Sequence, residues 1–194
     1  MTLHSLKLRT ILASLLGALV VVNPASAVVI SSTSGTNGVT DYSVAGLASF
    51  DLDLASLTST TLNFAIEQDD LLASTLNLNA LVRNLAGIGI DRFIFTAQGI
   101  SFAAAGSVTP TFGTLGTVNY GSSSAGITFT TPEFAEFAFG NPLGVVGKSD
   151  WQLSLAGLRA GDAFSITAAV PEPGSMLLML AGLAGLALVA RRKH

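Results

Sequence analysis

Hydrophobic and polar positions divide this 194-residue chain into three parts. A long middle region alternates with period two, and a continuous apolar run lies on each side of it. The alternation is plainest in Phe50-Asp51-Leu52-Asp53-Leu54, where apolar side chains trade places with carboxylates, as in a strand with one wet face. Leu62, Phe64 and Ile66 repeat it, and so do Leu76, Leu78, Ala80 and Val82. The Leu/Ala-rich character of that last segment also suits a helix drawn from residues 68–88. Residues 92–96 read as a strand apolar enough to be buried on both faces, with residues 99–102 as the next strand. Val118/Tyr120 and Ile127/Phe129 flank a Gly/Ser stretch at 121–126 that predicts a hairpin loop. Trp151, Leu153 and Leu155 share one strand face, residues 157–162 make a turn, and Phe164, Ile166, Ala168 and Val170 form a last strand. Pro171 ends it, because proline has no N–H for a ladder. Residues 28–30 predict a short first strand, and the Ser/Thr/Gly/Asn stretch to residue 40 reads as loop. Short strands at about ten-residue spacing predict an all-β domain, an antiparallel β-sandwich or jelly roll.

The flanking runs predict an N-terminal signal helix and a C-terminal transmembrane helix. Lys7 and Arg9 precede an apolar core at 11–22, and Ala25-Ser26-Ala27 follows Pro24. This is the pattern of a secretory signal peptide, with Ala25 and Ala27 as the signal peptidase site and cleavage after Ala27. Its apolar core is shorter than the ~20 residues of a stable span. The second run, 175–190, holds no charged side chain and is followed by Arg191, Arg192, Lys193 and His194. As a helix it spans roughly 24 Å, a little short of a bilayer's ~30 Å core. Arg191, Arg192 and Lys193 form the membrane stop and can snorkel to the headgroups. Basic residues stay on the cytoplasmic side, so both ends agree on one topology with the middle translocated. Three segments result: a signal peptide at 1–27, an exported β-rich domain at 28–170, and an anchor segment at 171–194.

Composition narrows the function of the exported domain. Its four basic residues (Arg83, Arg92, Lys148, Arg159) face eleven acidic ones, a net charge near −7, and nucleic acid would be repelled. The chain has no cysteine, and its two histidines, His4 and His194, lie outside 28–170. The domain therefore cannot build a Ser–His or Cys–His nucleophile or a His-ligated metal site. No cofactor is implied, and no enzymatic activity is expected.

Val170-Pro171-Glu172-Pro173, the apolar run and the basic tail together resemble the PEP-CTERM sorting signal of Gram-negative bacterial proteins. The resemblance implies that Pro171, Glu172 and Pro173 are the sorting motif, recognised by exosortase, a multi-pass membrane enzyme thought to cut there. It implies export through the signal peptidase and export machinery and anchoring in the inner membrane with the domain in the periplasm. Passage to the cell surface or the extracellular space follows processing. Residues 151–170 also look like the ectodomain ends of PEP-CTERM proteins, with a likeness to the subset called cistern-family. Two prolines restrict φ and hold the motif extended, a form suited to a processing enzyme's grip.

Within the domain, Asp51 and Asp53 on one sheet face, with Glu67, Asp69 and Asp70 in a polar turn, are candidate ligands for Ca²⁺, which takes six to eight oxygens. No Asp-x-Asp-x-Asp-Gly loop accompanies them, so a solvated acidic face is the simpler expectation. Glu133 and Glu136 are a candidate carboxylate pair for glycoside hydrolysis, which needs two carboxyls opposed across a sugar. Thr131 and Pro132 would start a short helical turn there, leaving the two acids on one side. Phe134, Phe137, Phe139 and Trp151 are expected in the core. The expected role is a structural surface or matrix protein, associated with exopolysaccharide or biofilm. A saccharide- or calcium-binding module is the alternative.

Overall fold

A computed structural model of the chain describes residues 27–171. Two sheets face each other across one core. The first orders its strands β1 (Val29–Ser34), β4 (Thr60–Ala65), β13 (Ala163–Ala169), β6 (Ile90–Gln98), β10 (Ser124–Glu133) and β9 (Thr114–Tyr120). The second runs β2 (Gly38–Asp41), β3 (Leu47–Leu54), β5 (Thr75–Asn84), β11 (Glu136–Phe139) and β8 (Val108–Pro110). Its axis is the ten-residue β5, whose residues 77–84 pair with the whole of β3 on one side. On the other side β12 (Trp151–Ser154) takes residues 75–78 and β11 takes 80–83, and β7 (Ser101–Ala104) pairs outside β12.

Alternation builds the core as the sequence predicts. Leu62 and Phe64 of β4, Phe93 and Phe95 of β6, and Phe164 and Ile166 of β13 point inward from one sheet. Phe50 and Leu52 of β3, Phe137 and Phe139 of β11, and Trp151 point inward from the other. Rings interlock across the gap: Phe139, stacked on Trp151 of its own sheet at 4.4 Å, meets Phe95 of the other edge-on at 4.7 Å. Phe93 meets Phe137 at 5.1 Å. Such pairs add about 1 kcal/mol each beyond buried area, so this aromatic zipper also sets sheet-to-sheet register. Outer faces differ in chemistry. The first sheet shows mainly hydroxyls and amides beside the exposed Arg92, with Thr61 bonded to Thr167 at 2.9 Å, whereas the second gathers Asp51, Asp53, Arg83 and Glu136.

Several expectations need correction. The β3–β5 pair is parallel, so the second sheet is mixed, unlike a fully antiparallel sandwich or jelly roll. Such a pair needs a long crossover, and β4 of the opposite sheet supplies it. The helix alternative at 68–88 reduces to a 3-10 turn, Gln68–Leu72, followed by β5, because inward Leu76, Leu78, Ala80 and Val82 fill a period-two face. The short first strand runs on to Ser34, and 38–41 form a second, where the sequence predicts loop over 31–40, since edge pairing asks for no apolar alternation. Thr131 to Glu133 extend β10 instead of opening a helix. β6 buries one face only: Arg92 is exposed and Ile94 half-buried. The turn before β10 is shorter than the Gly/Ser stretch, with β9 ending at Tyr120 and β10 starting at Ser124.

The two ends of the sandwich are distinct. Ala169 at the end of β13 pairs with Ile94, and Ala168 with Thr60 at the start of β4. Val29 pairs with Ala65 beside the start of β13, so the chain enters at one end and leaves, through Pro171, at the other. Val28 is fully buried and packs in the core. Among the described residues no helix is long and apolar enough to cross a membrane. The predicted signal helix, Ala25, Glu172, Pro173, the apolar run at 175–190 and the stop residues Arg191, Arg192 and Lys193 lie outside the described residues; Ala27 and Pro171 lie at their edges.

Candidate functional site

The exit of the chain is built from the middle of a sheet. β13 lies between β4 and β6, paired on both sides through residues 163–169. Val170 is half-buried against the core and Pro171, half-buried, follows immediately. With no N–H to give, Pro171 stops the ladder at this point. The expected sorting motif, Pro171 to Pro173, therefore starts two residues after Ala169, the last residue of a central strand paired on both sides.

On the outer face of the second sheet, register brings charges together that sequence distance separates. Asp53, Arg83 and Glu136 lie side by side on β3, β5 and β11. Arg83 donates to Asp53 Oδ1 at 3.0 Å and to Asp51 Oδ2, and its Nε lies 3.8 Å from Glu136. Hydrogen bonds from Asp53 and then Asp51 stabilise the charged guanidinium and raise the Arg83 pKa. The calcium candidates thus divide. Asp51 and Asp53 answer to Arg83, while Asp70, fully buried, accepts the N–H groups of Gly46 and Glu67, each at 2.9 Å. Glu67 and Asp69 stay with Asp70 at the 3-10 turn. Among the described residues no three acidic side chains come close enough to hold a metal ion. EDTA is expected to shift the melting temperature of the chain by less than about 2 °C, since an ion that does not bind the native state cannot stabilise it. A larger drop, restored by Ca²⁺, would return these acids to metal ligation.

The glycosidase pair is also divided. Glu133 is completely buried. One carboxylate oxygen accepts the N–H groups of Thr111, Phe112 and Gly113 at 2.9, 3.0 and 2.8 Å, and the other accepts Ala135 at 2.9 Å. Burial pushes this carboxyl up, but the four N–H donors outweigh it and hold it below the ordinary value of 4.5. Gly113 allows the approach, as a Cβ there would sit 3.1 Å from the Glu133 Cα. Asn84 completes the tie by donating to the carbonyls of Glu133 and Ile88. Glu136, in contrast, faces Arg83 in the open. The two acids do not oppose each other across a cleft.

Sequence reasoning did not single out Arg83 or Asn84, whose roles depend on partners 30–50 positions away. It also missed a groove of about 110 Å³ between β11, β8 and the loop at 140–148, lined by Thr109, Thr111, Glu136, Asn141, Leu143 and Lys148 among others. Thr109 Oγ1 is buried there with no hydrogen-bond partner. Phe137, Phe139 and Trp151 are core as expected, but Phe134 is exposed.

No curated protein and no solved structure matches the chain, so the cistern-family likeness rests on residues 151–170 alone. At its end the comparison is positive: residues 169–193 match the family model of the PEP-CTERM protein-sorting motif. The match begins at Ala169, the last residue of the central strand, and takes in Pro171, Glu172, Pro173, Arg191, Arg192 and Lys193. This motif marks a secreted protein for exosortase and for membrane-anchored processing. The chain carries the PEP-CTERM protein-sorting motif at residues 169–193, and the motif continues directly from the central strand of an all-β sandwich.

Proposed function

We propose that the protein is a structural component of the cell surface or extracellular matrix, without catalytic activity, associated with exopolysaccharide. It is held in the inner membrane with its sandwich in the periplasm until exosortase acts on Pro171-Glu172-Pro173. The observation that carries this reading is how the domain uses its acids. Glu133 is consumed by four backbone donors, Asp70 by two, and Asp51 and Asp53 by Arg83. Acids engaged in this way hold loops and strands rather than transfer protons. The absence of histidine and cysteine between residues 28 and 170 supports the same conclusion.

A saccharide-binding reading has one observation in its favour, the groove with the unpartnered Thr109 hydroxyl. At about 110 Å³ it is smaller than the few hundred Å³ of usual small-molecule sites, which suits a weak contact with one sugar of a polymer. The proposal is tested in paired hosts with and without the exosortase. With the enzyme, the C-terminal tail is expected to be lost and the domain recovered outside the membrane fraction. Without it, full-length chain stays in that fraction. Equal distribution in the two hosts would refute processing, and hydrolysis of any exopolysaccharide by purified protein would refute the non-catalytic role.

A further inference from the structure

We propose that the end of the sandwich from which Pro171 leaves rests on the lipid surface, through Leu85, Ile88, Phe112 and Phe134. The inference depends on the reading of residues 175–190 as the membrane anchor. These four side chains are 62%, 61%, 73% and 56% exposed. They belong to three loops, 85–89, 111–113 and 134–135, that lie at the same end because β5 ends, β6 begins, β8 ends, β9 begins and β10 ends there. The loops are one unit. Glu133 accepts from residues 111–113 and 135, and Asn84 donates to Glu133 and Ile88. Loop 85–89 lies against Phe134, since a Cβ on Gly89 would fall 2.7 Å from the Phe134 ring.

Charge at this end is confined to the strand ends, where Asp53, Arg83 and Glu136 lie together and Asp91 and Arg92 stand exposed at the start of β6. The loops at the Pro171 end, 35–37, 55–59, 85–89, 111–113 and 134–135, contain no Asp, Glu, Lys or Arg. Those at the far end carry Glu67, Asp69, Asp70, Arg159 and Asp162. Exposed apolar residues occur there too, but Tyr42 adjoins Asp41 and Leu72 sits in the acidic 3-10 turn. Uncharged loops tipped with Leu, Ile and Phe match the chemistry of a membrane interface, where such side chains enter and carboxylates are repelled.

The length of the tether identifies lipid as the occupant. Ile94 pairs with Ala169, and β6 starts four residues nearer the tip, roughly 13 Å further along the strand. Pro171 lies two residues past Ala169, roughly 7 Å, so the loops stand ahead of it. Only Glu172, Pro173 and Gly174 separate Pro171 from the apolar run, a reach of about 14 Å at most over four residue steps. With the anchor inserted, the loop tips are held at the level where the apolar run begins.

The full chain has no cysteine, so single fluorophores can be placed by Ile88→Cys, Phe112→Cys, Phe134→Cys and, at the far end, Leu72→Cys. Each chain is inserted into phosphatidylethanolamine/phosphatidylglycerol vesicles that carry nitroxide near the headgroup. Trp151, buried in the core, reports through its emission that each variant is folded. Labels at 88, 112 and 134 are expected to be quenched about twofold or more beyond the label at 72, as for side chains at an interface. Equal quenching at all four sites on chains that float with the vesicles would overturn the docking while leaving the anchor intact. Chains that fail to float would overturn the anchor reading and this inference together. Label–label quenching relieved by unlabelled chain, without lipid quenching, would assign the end to a second copy and overturn lipid as the occupant.

Discussion

Glu133→Gln is expected to lower the melting temperature of the chain by roughly 10–15 °C, the equivalent of about 3–5 kcal/mol. Glutamine has almost the same shape, so no cavity explains the loss. One carboxylate oxygen now meets three N–H groups, from Thr111, Phe112 and Gly113, and the other meets that of Ala135. Replacing either oxygen by an amide NH2 points donor at donor in a fully buried site, and the facing N–H groups lose their only strong acceptor. Three loops come apart at once, because this residue holds them together.

Acid titration follows from the same contact. The folded carboxyl is held below its ordinary value of 4.5, so the unfolded chain takes up the proton first. Stability from Glu133 is therefore complete above about pH 4.5 and is lost as pH falls toward and through the folded value. Thermal melts between pH 7 and pH 3 should show a shallower acid decline for Glu133→Gln than for the wild type. Glu136→Gln, on the open face beside Arg83, should cost less than about 1 kcal/mol. A Glu133→Gln protein as stable as the wild type would show that the buried carboxylate is dispensable.

Combined Pro171→Ala and Pro173→Ala is expected to leave the chain in the membrane and to block its onward processing. The two roles belong to different residues. On the proposed reading, insertion uses the apolar area of residues 175–190 and the Arg191, Arg192, Lys193 stop, which the change does not touch. Recognition, on the same reading, uses the Pro171-Glu172-Pro173 segment, which its prolines bias toward extended backbone. β13 is paired on both sides to its last residue, Ala169, and alanine, which has the N–H proline lacks, would let those ladders grow into the motif. In a host with exosortase the double variant should accumulate as a full-length, membrane-fractionating form, whereas wild type loses its tail. Tail loss at the wild-type rate would reduce Pro-Glu-Pro to a linker.

Local pattern sufficed for much of this protein. Period-two alternation from Phe50 to Leu54 and from Phe164 to Val170 specified strands and their buried faces, because a pleated strand places alternate side chains on opposite sides whatever its neighbours. The sorting motif was legible for a related reason: it is one short continuous stretch, residues 169–193. Partnership was not legible. That Asp51 and Asp53 meet Arg83, that β3 runs parallel to β5, and that Glu133 gathers the N–H groups of residues 111–113 depend on pairing between segments 20–30 positions apart. Alternation sets which face a side chain occupies, but only the packed sheets decide which strand lies beside it. The same tertiary pairing carries the uncharged loops to the end where Pro171 leaves, for no local signal tells residues 85–89, 111–113 and 134–135 that they share it.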